Sequence, residues 1–272
     1  AGASWNPAQI LAGSPDEMRA LFDKGNNEII GSRAGSSSVV MGLPAAGVAS
    51  RALDFALAHP ALVAKIRHLG ALDGIAKDDL PPRFLYPVAT AEGSRTLLGL
   101  MLRNLAIIGK GLSTSIPATL MLHPGSSGLV LDRLANEIGA DQLEDTGLFM
   151  QSMARRMYVT DQTLTSELGP TGHGDFPHLL AEMDLFRFMV EQGSKYFAFS
   201  NADEFLWAPN PLMIGIAQKL IAKGYAGIVF VVPNSNNQSG GGAVKEVAHP
   251  ENQFLCEMPC LPADQIVGGK YP

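Results

Sequence analysis

The sequence predicts an α/β fold in three layers, with helices on both faces of a mixed, mainly parallel β-sheet. Short apolar segments alternate with segments of helical period along most of the 272 residues. These apolar segments are continuous, which is typical of strands that are covered on both faces. Apolar residues make up 46% of the chain and charged residues 17%, so there is enough apolar material for a large core.

The predicted elements begin with a helix near the amino terminus. Ser14-Pro-Asp-Glu17 has the N-cap, proline and acidic order of a helix start, and Gly25 is expected to end that helix. The small, polar residues 31–38 are expected to form a mobile loop. Residues 97–108 are nearly all apolar, so the helix predicted there is expected to be mostly buried.

Strands and helices then alternate, as a parallel sheet with helical crossovers requires. Strands are predicted at residues 38–41, 118–122, 147–150, 196–200 and 227–232, and helices at residues 51–74 (interrupted near Pro60), 97–108, 129–138, 178–192 (closed by Gly193) and from Asn210-Pro211 to Gly224. Ligands of such sheets bind beyond the carboxyl ends of the strands. A site is therefore expected in the loops that follow these strands.

Charge and composition argue against several classes of partner. The net charge of −6 gives no positive field that would attract nucleic acid. No apolar run approaches the roughly 18–20 residues that span a membrane, and Ala1-Gly-Ala-Ser-Trp5 lacks the order of a signal peptide. Cys256 and Cys260 have no further ligands at zinc-site spacing, so free thiols in a reducing compartment are expected. The sequence thus predicts a cytoplasmic protein with small-molecule ligands.

A glycine-rich segment, Gly42-Leu-Pro-Ala-Ala-Gly-Val-Ala-Ser-Arg51, follows the first predicted strand. Its small residues would let the backbone approach a phosphate, and consecutive N–H groups could line the anion. Arg51 would add a permanent positive charge. An ordinary strand-to-helix connection fits the spacing equally well. The segment matches neither the Gly-x-Gly-x-x-Gly of dinucleotide folds nor the Gly-Lys-Ser/Thr of P-loops.

The segment from Val39 to Arg51 resembles the strand and signature loop of sugar-phosphate nucleotidyltransferases, often written PAAGxGTR. The resemblance implies a Rossmann-like fold of the nucleotide-diphospho-sugar transferase type. A second family mark, Pro-Lys-x-x-x-Pro, is similar to Pro82-Arg83-Phe-Leu-Tyr-Pro87, with arginine in place of lysine and about 30 residues between the marks. It implies catalytic roles for Arg51 and Arg83. It also implies nucleotide binding by four loop residues: Pro44, Ala45, Ala46 and Gly47.

Three later segments resemble UTP–glucose-1-phosphate uridylyltransferases, in the same order as in that family. Leu148-Phe-Met-Gln-Ser-Met-Ala-Arg155 is similar to FxQSxxPR, Pro170-Thr-Gly-His-Gly-Asp175 to PPGHGD, and Asn201-Ala-Asp203 to Asn-x-Asp. The resemblance implies that Gln151 and Gly172 read uracil, that His173 contacts the phosphate or sugar, and that Asn201 binds the sugar. Asp203 would hold Mg²⁺, a cation that prefers oxygen ligands.

Simpler interpretations of these segments stay open. Gly172-His-Gly174 could be only a turn, Asp203 could cap the next turn, and Glu204 could be a second ligand or a surface charge. Gly241 and Gly242 end a polar segment that either approaches the sugar hydroxyls, as the resemblance implies, or is a flexible loop.

The resemblance implies one nucleotidyltransferase domain over residues 1–272, with residues 1–37 as an amino-terminal extension of helix and loop. The usual carboxyl-terminal domain of the family is expected to be absent from this chain. The function implied is transfer of uridylyl from UTP to a sugar 1-phosphate, first of all glucose 1-phosphate, with Mg²⁺. The alternatives are a non-catalytic nucleotide or UDP-sugar binder, a truncated fragment, and a metal-dependent glycosyltransferase.

Overall fold

A computed structural model describes residues 14–31, 35–45, 82–138, 145–157, 163–202, 204, 209–225, 241–245 and 253–257. The chain divides into two compact units. One unit is Leu21–Gln218, and the other combines Ala1–Ala20 with Lys219–Pro272. The predictions of a helix at 51–74 and a strand at 227–232 lie outside the described residues.

Ten strands, six α-helices and one 3₁₀ helix are described. The strands are β1 (Val39–Ala45), β2 (Pro87–Thr90), β3 (Gly93–Thr96), β4 (Ala118–Leu122), β5 (Thr146–Met150), β6 (Met153–Met157), β7 (Leu164–Pro170), β8 (Tyr196–Phe199), β9 (Gly241–Lys245) and β10 (Gln253–Glu257). The helices are α1 (Pro15–Ile30), α2 (Leu97–Gly111), α3 (Ser127–Glu137), α4 (Asp175–Glu182), α5 (Leu185–Glu191) and α6 (Pro211–Ile221), with the 3₁₀ helix at Arg83–Leu85.

A four-stranded parallel sheet forms the centre of the larger unit. Its strand order is β5-β4-β1-β8. Met41 of β1 pairs with Ala118 of β4 and Ala198 of β8, and Ala118 pairs in turn with Thr146 of β5. All three pairings are parallel, so the prediction of a mainly parallel sheet within an α/β fold is confirmed.

The two faces of this sheet bury separate apolar clusters. Val39, Met41 and Leu43 of β1 pack with residues of α1, α2, α3 and α6 on one face. Val40, one residue out of step, packs with residues of α4 and α5 on the other. Because successive side chains of a strand point to opposite faces, a continuous apolar run serves both layers. The predicted three-layer arrangement follows from this alternation.

Helix α1 begins as predicted and ends later than predicted. The N–H of Glu17 donates to the Ser14 hydroxyl oxygen at 3.2 Å, which is the expected cap. Gly25, however, lies inside the helix, and Gly31 ends it with a φ of +73°. A Cβ on Gly25 would lie 1.7 Å from the carbonyl oxygen of Pro211. Glycine at position 25 therefore serves close helix packing, and the expectation that it ends the helix is wrong.

The segment after α1 and the predicted helix at 178–192 also differ from expectation. Ser37 and Ser38 are buried, and the Ser38 hydroxyl donates to the Glu28 carbonyl oxygen, so this part of the segment is not an open loop. The predicted long helix is two helices, α4 and α5, separated where Asp184 adopts a φ of +55°. Gly193, with a φ of +95°, closes the second helix as predicted.

Three antiparallel strand pairs were not predicted. The pairs β2–β3 and β6–β7 belong to the larger unit. The pair β9–β10 belongs to the smaller unit, where Lys219 also forms an ion pair with Glu17. Among the residues that the structure describes, no helix combines the length and the apolar character needed to cross a membrane.

Candidate functional site

The carboxyl ends of the four parallel strands define the edge where a ligand is expected. β4 ends at Leu122 and is followed by His123, β5 ends at Met150 and is followed by Gln151, and β8 is followed by Ser200. Since these strands are neighbours and run in the same direction, the residues that follow them lie along one edge of the sheet.

Strand β1 contains the first part of the segment that the sequence assigned to a phosphate loop. Pro44 pairs with Met121 and Ala45 with Leu122, and both Pro44 and Ala45 are buried. A Cβ on Gly42 would lie 2.3 Å from the Phe197 ring, so this glycine makes room for an aromatic side chain. Gly42 to Ala45 are therefore strand, which corrects the predicted start of the loop.

The remaining residues of the predicted phosphate loop follow β1. Ala46, Gly47 and Arg51 lie outside the described residues. The roles of Pro44 and Ala45 in binding a nucleotide also stay predictions. Their position at the carboxyl end of a central strand is where the backbone of such a loop would begin.

Arg83 is an exposed side chain at the start of the 3₁₀ helix, while Phe84 and Leu85 are buried in the core. Burial raises the pKa of the neighbouring Tyr86 above its ordinary value, and the charge of Arg83 opposes that rise. The N–H of Leu97 donates to the Tyr86 carbonyl oxygen at 3.2 Å, which joins this segment to the start of α2. The catalytic role of Arg83 stays a prediction.

Gln151 presents a buried hydrogen-bonding group at the carboxyl end of β5. The residue is 3% exposed, and its Oε1 has no hydrogen-bond partner in the part of the chain that the structure describes. Its backbone N–H donates to the Leu122 carbonyl oxygen at 2.8 Å and so extends the β4–β5 ladder. A buried acceptor without a donor costs about 1–3 kcal/mol. Such an atom suits a site where a ligand supplies the donor.

The register of the β6–β7 hairpin points to Gly172 as the residue opposite Gln151. Met153 pairs with Pro170 in this hairpin, and the N–H of Thr171 donates to the Ser152 carbonyl oxygen at 3.2 Å. Gln151 and Gly172 are the next residues along the two chain directions. Continued by one residue, this register would set position 151 opposite position 172, which is 21 residues away in sequence.

Asp175 ties the same two segments together. Its Oδ2 accepts from the N–H of Ser152 at 3.0 Å and from the Thr171 hydroxyl at 2.7 Å. Burial would raise the pKa of Asp175, but the hydrogen bonds from Thr171 and Ser152 and the charge of His178 outweigh it. The pKa consequently lies below its ordinary value, and the group is a carboxylate at neutral pH.

Gly172 and His173 form a tight turn before α4. Gly172 has a φ of +94°, a conformation that favours glycine, and its carbonyl oxygen accepts from the N–H of Asp175 at 3.2 Å. The His173 carbonyl oxygen accepts from the N–H of Phe176 at 3.1 Å, and the His173 side chain is exposed. The imidazole is thus accessible to a ligand at this edge.

An aromatic cluster packs near the carboxyl ends of β5 and β8. Phe176 is fully buried, and its ring centroid lies 4.9 Å from that of Phe149 and 5.2 Å from that of Phe199, both edge to face. Such pairs add about 0.5–1.5 kcal/mol beyond burial. Each ring is close in sequence to a predicted site residue, since Phe149 precedes Gln151 by two positions and Phe199 precedes Asn201 by two. The cluster therefore joins β5, α4 and β8 beneath these residues.

Asn201 lies in the turn after β8. The N–H of Ser200 donates to the Gly42 carbonyl oxygen at 3.1 Å, and Asn201 accepts at its own carbonyl oxygen from the N–H of Glu204, also at 3.1 Å. Ala202 is 1% exposed, which anchors the turn in the core. Asp203 lies outside the described residues, so the predicted Mg²⁺ ligand stays a prediction. Across the described ranges, no three His, Cys, Asp or Glu side chains converge as a protein metal site would need.

Gly241 and Gly242 belong to the smaller unit. They lie in strand β9, where Gly241 pairs with Glu257 and Gly242 with Cys256. The interpretation of this segment as a flexible loop is therefore wrong for residues 241 and 242. Their role in binding a sugar stays a prediction.

The parallel sheet, its two helical layers and the polar carboxyl edge define a nucleotidyltransferase-type α/β fold. Solved structures with this fold include UDP-sugar pyrophosphorylases. The chain is similar to UDP-N-acetylglucosamine pyrophosphorylase from Trypanosoma brucei in complex with an inhibitor, with a TM-score of 0.64 and 14% identity over 94% of this chain and 48% of that one. A protein from Entamoeba histolytica provisionally assigned the same name has a TM-score of 0.62 and 19% identity over 93% of this chain and 58% of that one.

A third similar structure is a mutant UDP-glucose pyrophosphorylase from Leishmania major in complex with UDP-glucose. Its TM-score is 0.56, with 16% identity over 86% of this chain and 48% of that one. At such identities the likeness shows the fold, and it confirms at that level the resemblance drawn from the sequence. The chain spans about half the length of these solved structures. No family model matches the chain, and neither does any curated protein.

Proposed function

We propose that the chain is a uridylyltransferase that joins UTP to a sugar 1-phosphate, giving a UDP-sugar and pyrophosphate. The observation that carries this proposal is the register of the β6–β7 hairpin, which, continued beyond the Ser152–Thr171 hydrogen bond, would set Gln151 opposite Gly172. Gln151 offers a buried, unpartnered acceptor. The backbone N–H of Gly172, in the turn before α4, is the proposed donor beside it.

One acceptor beside one donor matches the edge of uracil. Uracil presents the N3–H donor next to the O4 acceptor, whereas cytosine presents an N3 acceptor next to an amino donor. Gln151 Oε1 would accept from N3–H, and the N–H of Gly172 would donate to the neighbouring carbonyl. Cytosine would leave both protein groups facing like groups, and a site built for hydrogen bonding rejects such an analogue strongly.

The reaction needs positioning and charge stabilisation and no covalent enzyme intermediate. An oxygen of the sugar phosphate attacks the α-phosphorus of UTP. The bond from that phosphorus to the bridging oxygen breaks, and pyrophosphate leaves. Ala46, Gly47, Arg51 and Arg83 are the proposed groups around the phosphates, in a chain whose net charge of −6 gives no general attraction.

Mg²⁺ is the proposed cofactor, and it would neutralise phosphate charge between the two substrates. In the sequence, Asp203 and Glu204 follow the end of β8 by four and five residues, and they would supply the carboxylate oxygens that this ion prefers. Glucose 1-phosphate is the first proposed substrate, with Asn201 proposed at the sugar. The fold neighbours include enzymes named for both UDP-glucose and UDP-N-acetylglucosamine, so the N-acetylglucosamine ester is the matched comparison.

A pyrophosphate-release assay tests the proposal. The chain is mixed with Mg²⁺, UTP or CTP, and either glucose 1-phosphate or N-acetylglucosamine 1-phosphate. We expect release with UTP and at least one sugar phosphate, and much slower release with CTP. No release with any pair would contradict an enzyme, and thermal stabilisation by UTP without release would instead support the non-catalytic binder.

A further inference from the structure

The peptide groups on both sides of Gln151 are held by hydrogen bonds. On the amino side, the N–H of Gln151 donates to the Leu122 carbonyl oxygen at 2.8 Å. On the carboxyl side, the peptide that joins Gln151 to Ser152 donates its N–H to Asp175 Oδ2 at 3.0 Å. The backbone from which the Gln151 side chain projects is therefore fixed from two directions, once by the sheet and once by Asp175.

The same carboxylate holds the other half of the pair. The hydroxyl of Thr171, one residue before Gly172, donates to Asp175 Oδ2 at 2.7 Å. The backbone N–H of Asp175 donates to the Gly172 carbonyl oxygen at 3.2 Å, so residue 175 contacts the turn through both side chain and backbone. One side chain thus contacts both segments, in addition to the hydrogen bonds that Thr171 donates to the Ser152 carbonyl oxygen.

This use of the carboxylate differs from ordinary helix capping. Asp175 is the first residue of α4, where an acidic side chain commonly interacts with the free N–H groups of its own helix. Its hydrogen bonds run instead to Ser152 and Thr171, outside the helix. Because the acceptor is ionised, these bonds are stronger than bonds between neutral groups.

We propose that Asp175 is a positioning residue that gives the site its selectivity for uracil over cytosine. This inference rests on the proposed function, in which Gln151 Oε1 and the N–H of Gly172 read the base together. A donor and an acceptor can discriminate between bases only if their separation is held to within about 0.5 Å. Without the carboxylate, only the hydrogen bonds from Thr171 to the Ser152 carbonyl oxygen and the β6–β7 ladder join the two segments, and the separation of the pair is held less tightly.

Calorimetric titration of the chain with UTP and with CTP tests the inference in three variants. Asp175→Ala removes the anchor. Asp175→Asn keeps a carbonyl oxygen where Oδ2 lies, so it can still accept both hydrogen bonds. Thr171→Val leaves the carboxylate and removes its link to the turn. Glu182→Ala, an exposed change near the end of the same helix, is the matched control.

We expect Asp175→Ala to lower the ratio of UTP affinity to CTP affinity by about tenfold or more. The loss should fall mainly on UTP, because only uracil matches the acceptor and the donor that the carboxylate helps to hold in place. Thr171→Val should lower the ratio less, Asp175→Asn should recover most of it, and Glu182→Ala should leave it unchanged. A structural role alone would weaken both nucleotides equally, which is why the ratio is the readout.

Two results would contradict the inference, and they have different consequences for the proposed function. If the unaltered chain prefers UTP and Asp175→Ala keeps the same ratio, the positioning role falls and the proposed function stands. If the unaltered chain shows no preference for UTP, both fall together. Should Asp175→Ala fail to fold, an unchanged ratio in Thr171→Val would overturn the inference.

Discussion

Replacing Gln151 with methionine separates two effects of its buried side-chain oxygen: the stability that the unpartnered oxygen costs and its contribution to UTP binding. Methionine has a similar length and no acceptor, so Gln151→Met removes the Oε1 atom that lies buried without a partner among the described residues. An unsatisfied buried acceptor costs about 1–3 kcal/mol, and the substitution should recover that amount in the absence of nucleotide. For a chain of 272 residues this corresponds to a rise of about 2–6 °C in the unfolding midpoint.

The same substitution should reduce the stabilisation that UTP gives to the folded chain. Thermal unfolding followed by circular dichroism, with and without UTP, measures both effects. At a UTP concentration of 100 times the Kd of the unaltered chain, that chain should gain about 2.7 kcal/mol, whereas Gln151→Met, with an affinity weaker by about 1–3 kcal/mol, should gain only about 0.3–1.8 kcal/mol. Gln192→Met is the matched control at an exposed position, and its unfolding midpoint should barely change. A Gln151→Met that is less stable than the unaltered chain, and that UTP stabilises to the same extent, would refute the reasoning.

Three further predictions concern the fold. Gly25→Ala should lower the free energy of unfolding, measured by urea titration, by about 3 kcal/mol, because its Cβ would lie 1.7 Å from a backbone oxygen. The control, Gly111→Ala, has open space around its Cβ and should be neutral or stabilising by about 1 kcal/mol. Thr96→Ala should cost about 1–2 kcal/mol by removing the cap that accepts from the N–H of Gly99 at 2.9 Å, and Thr96→Ser should keep most of the stability. The pKa of Asp175 is lowered in the folded state, so its carboxylate should stabilise the chain at every pH above the ordinary value of 3.8 and lose that contribution as the pH falls further. The difference in unfolding free energy between the unaltered chain and Asp175→Asn should therefore be constant between pH 7 and pH 5 and shrink near pH 3.

The central sheet was predictable because its strands are buried on both faces. The strand at residues 118–122 has the predicted bounds, and the strand at 196–200 ends one residue earlier than predicted. A continuous apolar run leaves a parallel strand few alternatives. Strand β6, Met153-Ala-Arg-Arg-Met157, is mostly exposed and shows no regular alternation, so it was not predicted.

The candidate site was only partly predictable, because the contacts that join its residues leave no apolar pattern in the sequence. Gln151 and Gly172 were found separately, by resemblance, and the contact that joins them depends on the β6–β7 register and on Asp175. Neither follows from an apolar pattern. Gly42 and Pro44 were placed in a loop because they belong to the glycine-rich segment whose small residues suit phosphate binding and which resembles the family's signature loop. The Phe197 ring, which occupies the space beside Gly42, favours a buried strand there instead.

A crystal structure of the chain with UTP would test the central claim most directly. The account predicts that uracil N3 lies about 2.7–3.2 Å from Gln151 Oε1, with an adjacent uracil carbonyl oxygen at a similar distance from the backbone nitrogen of Gly172. Uracil bound away from these two residues, or bound beside them with Gln151 Oε1 still unpartnered, would contradict it.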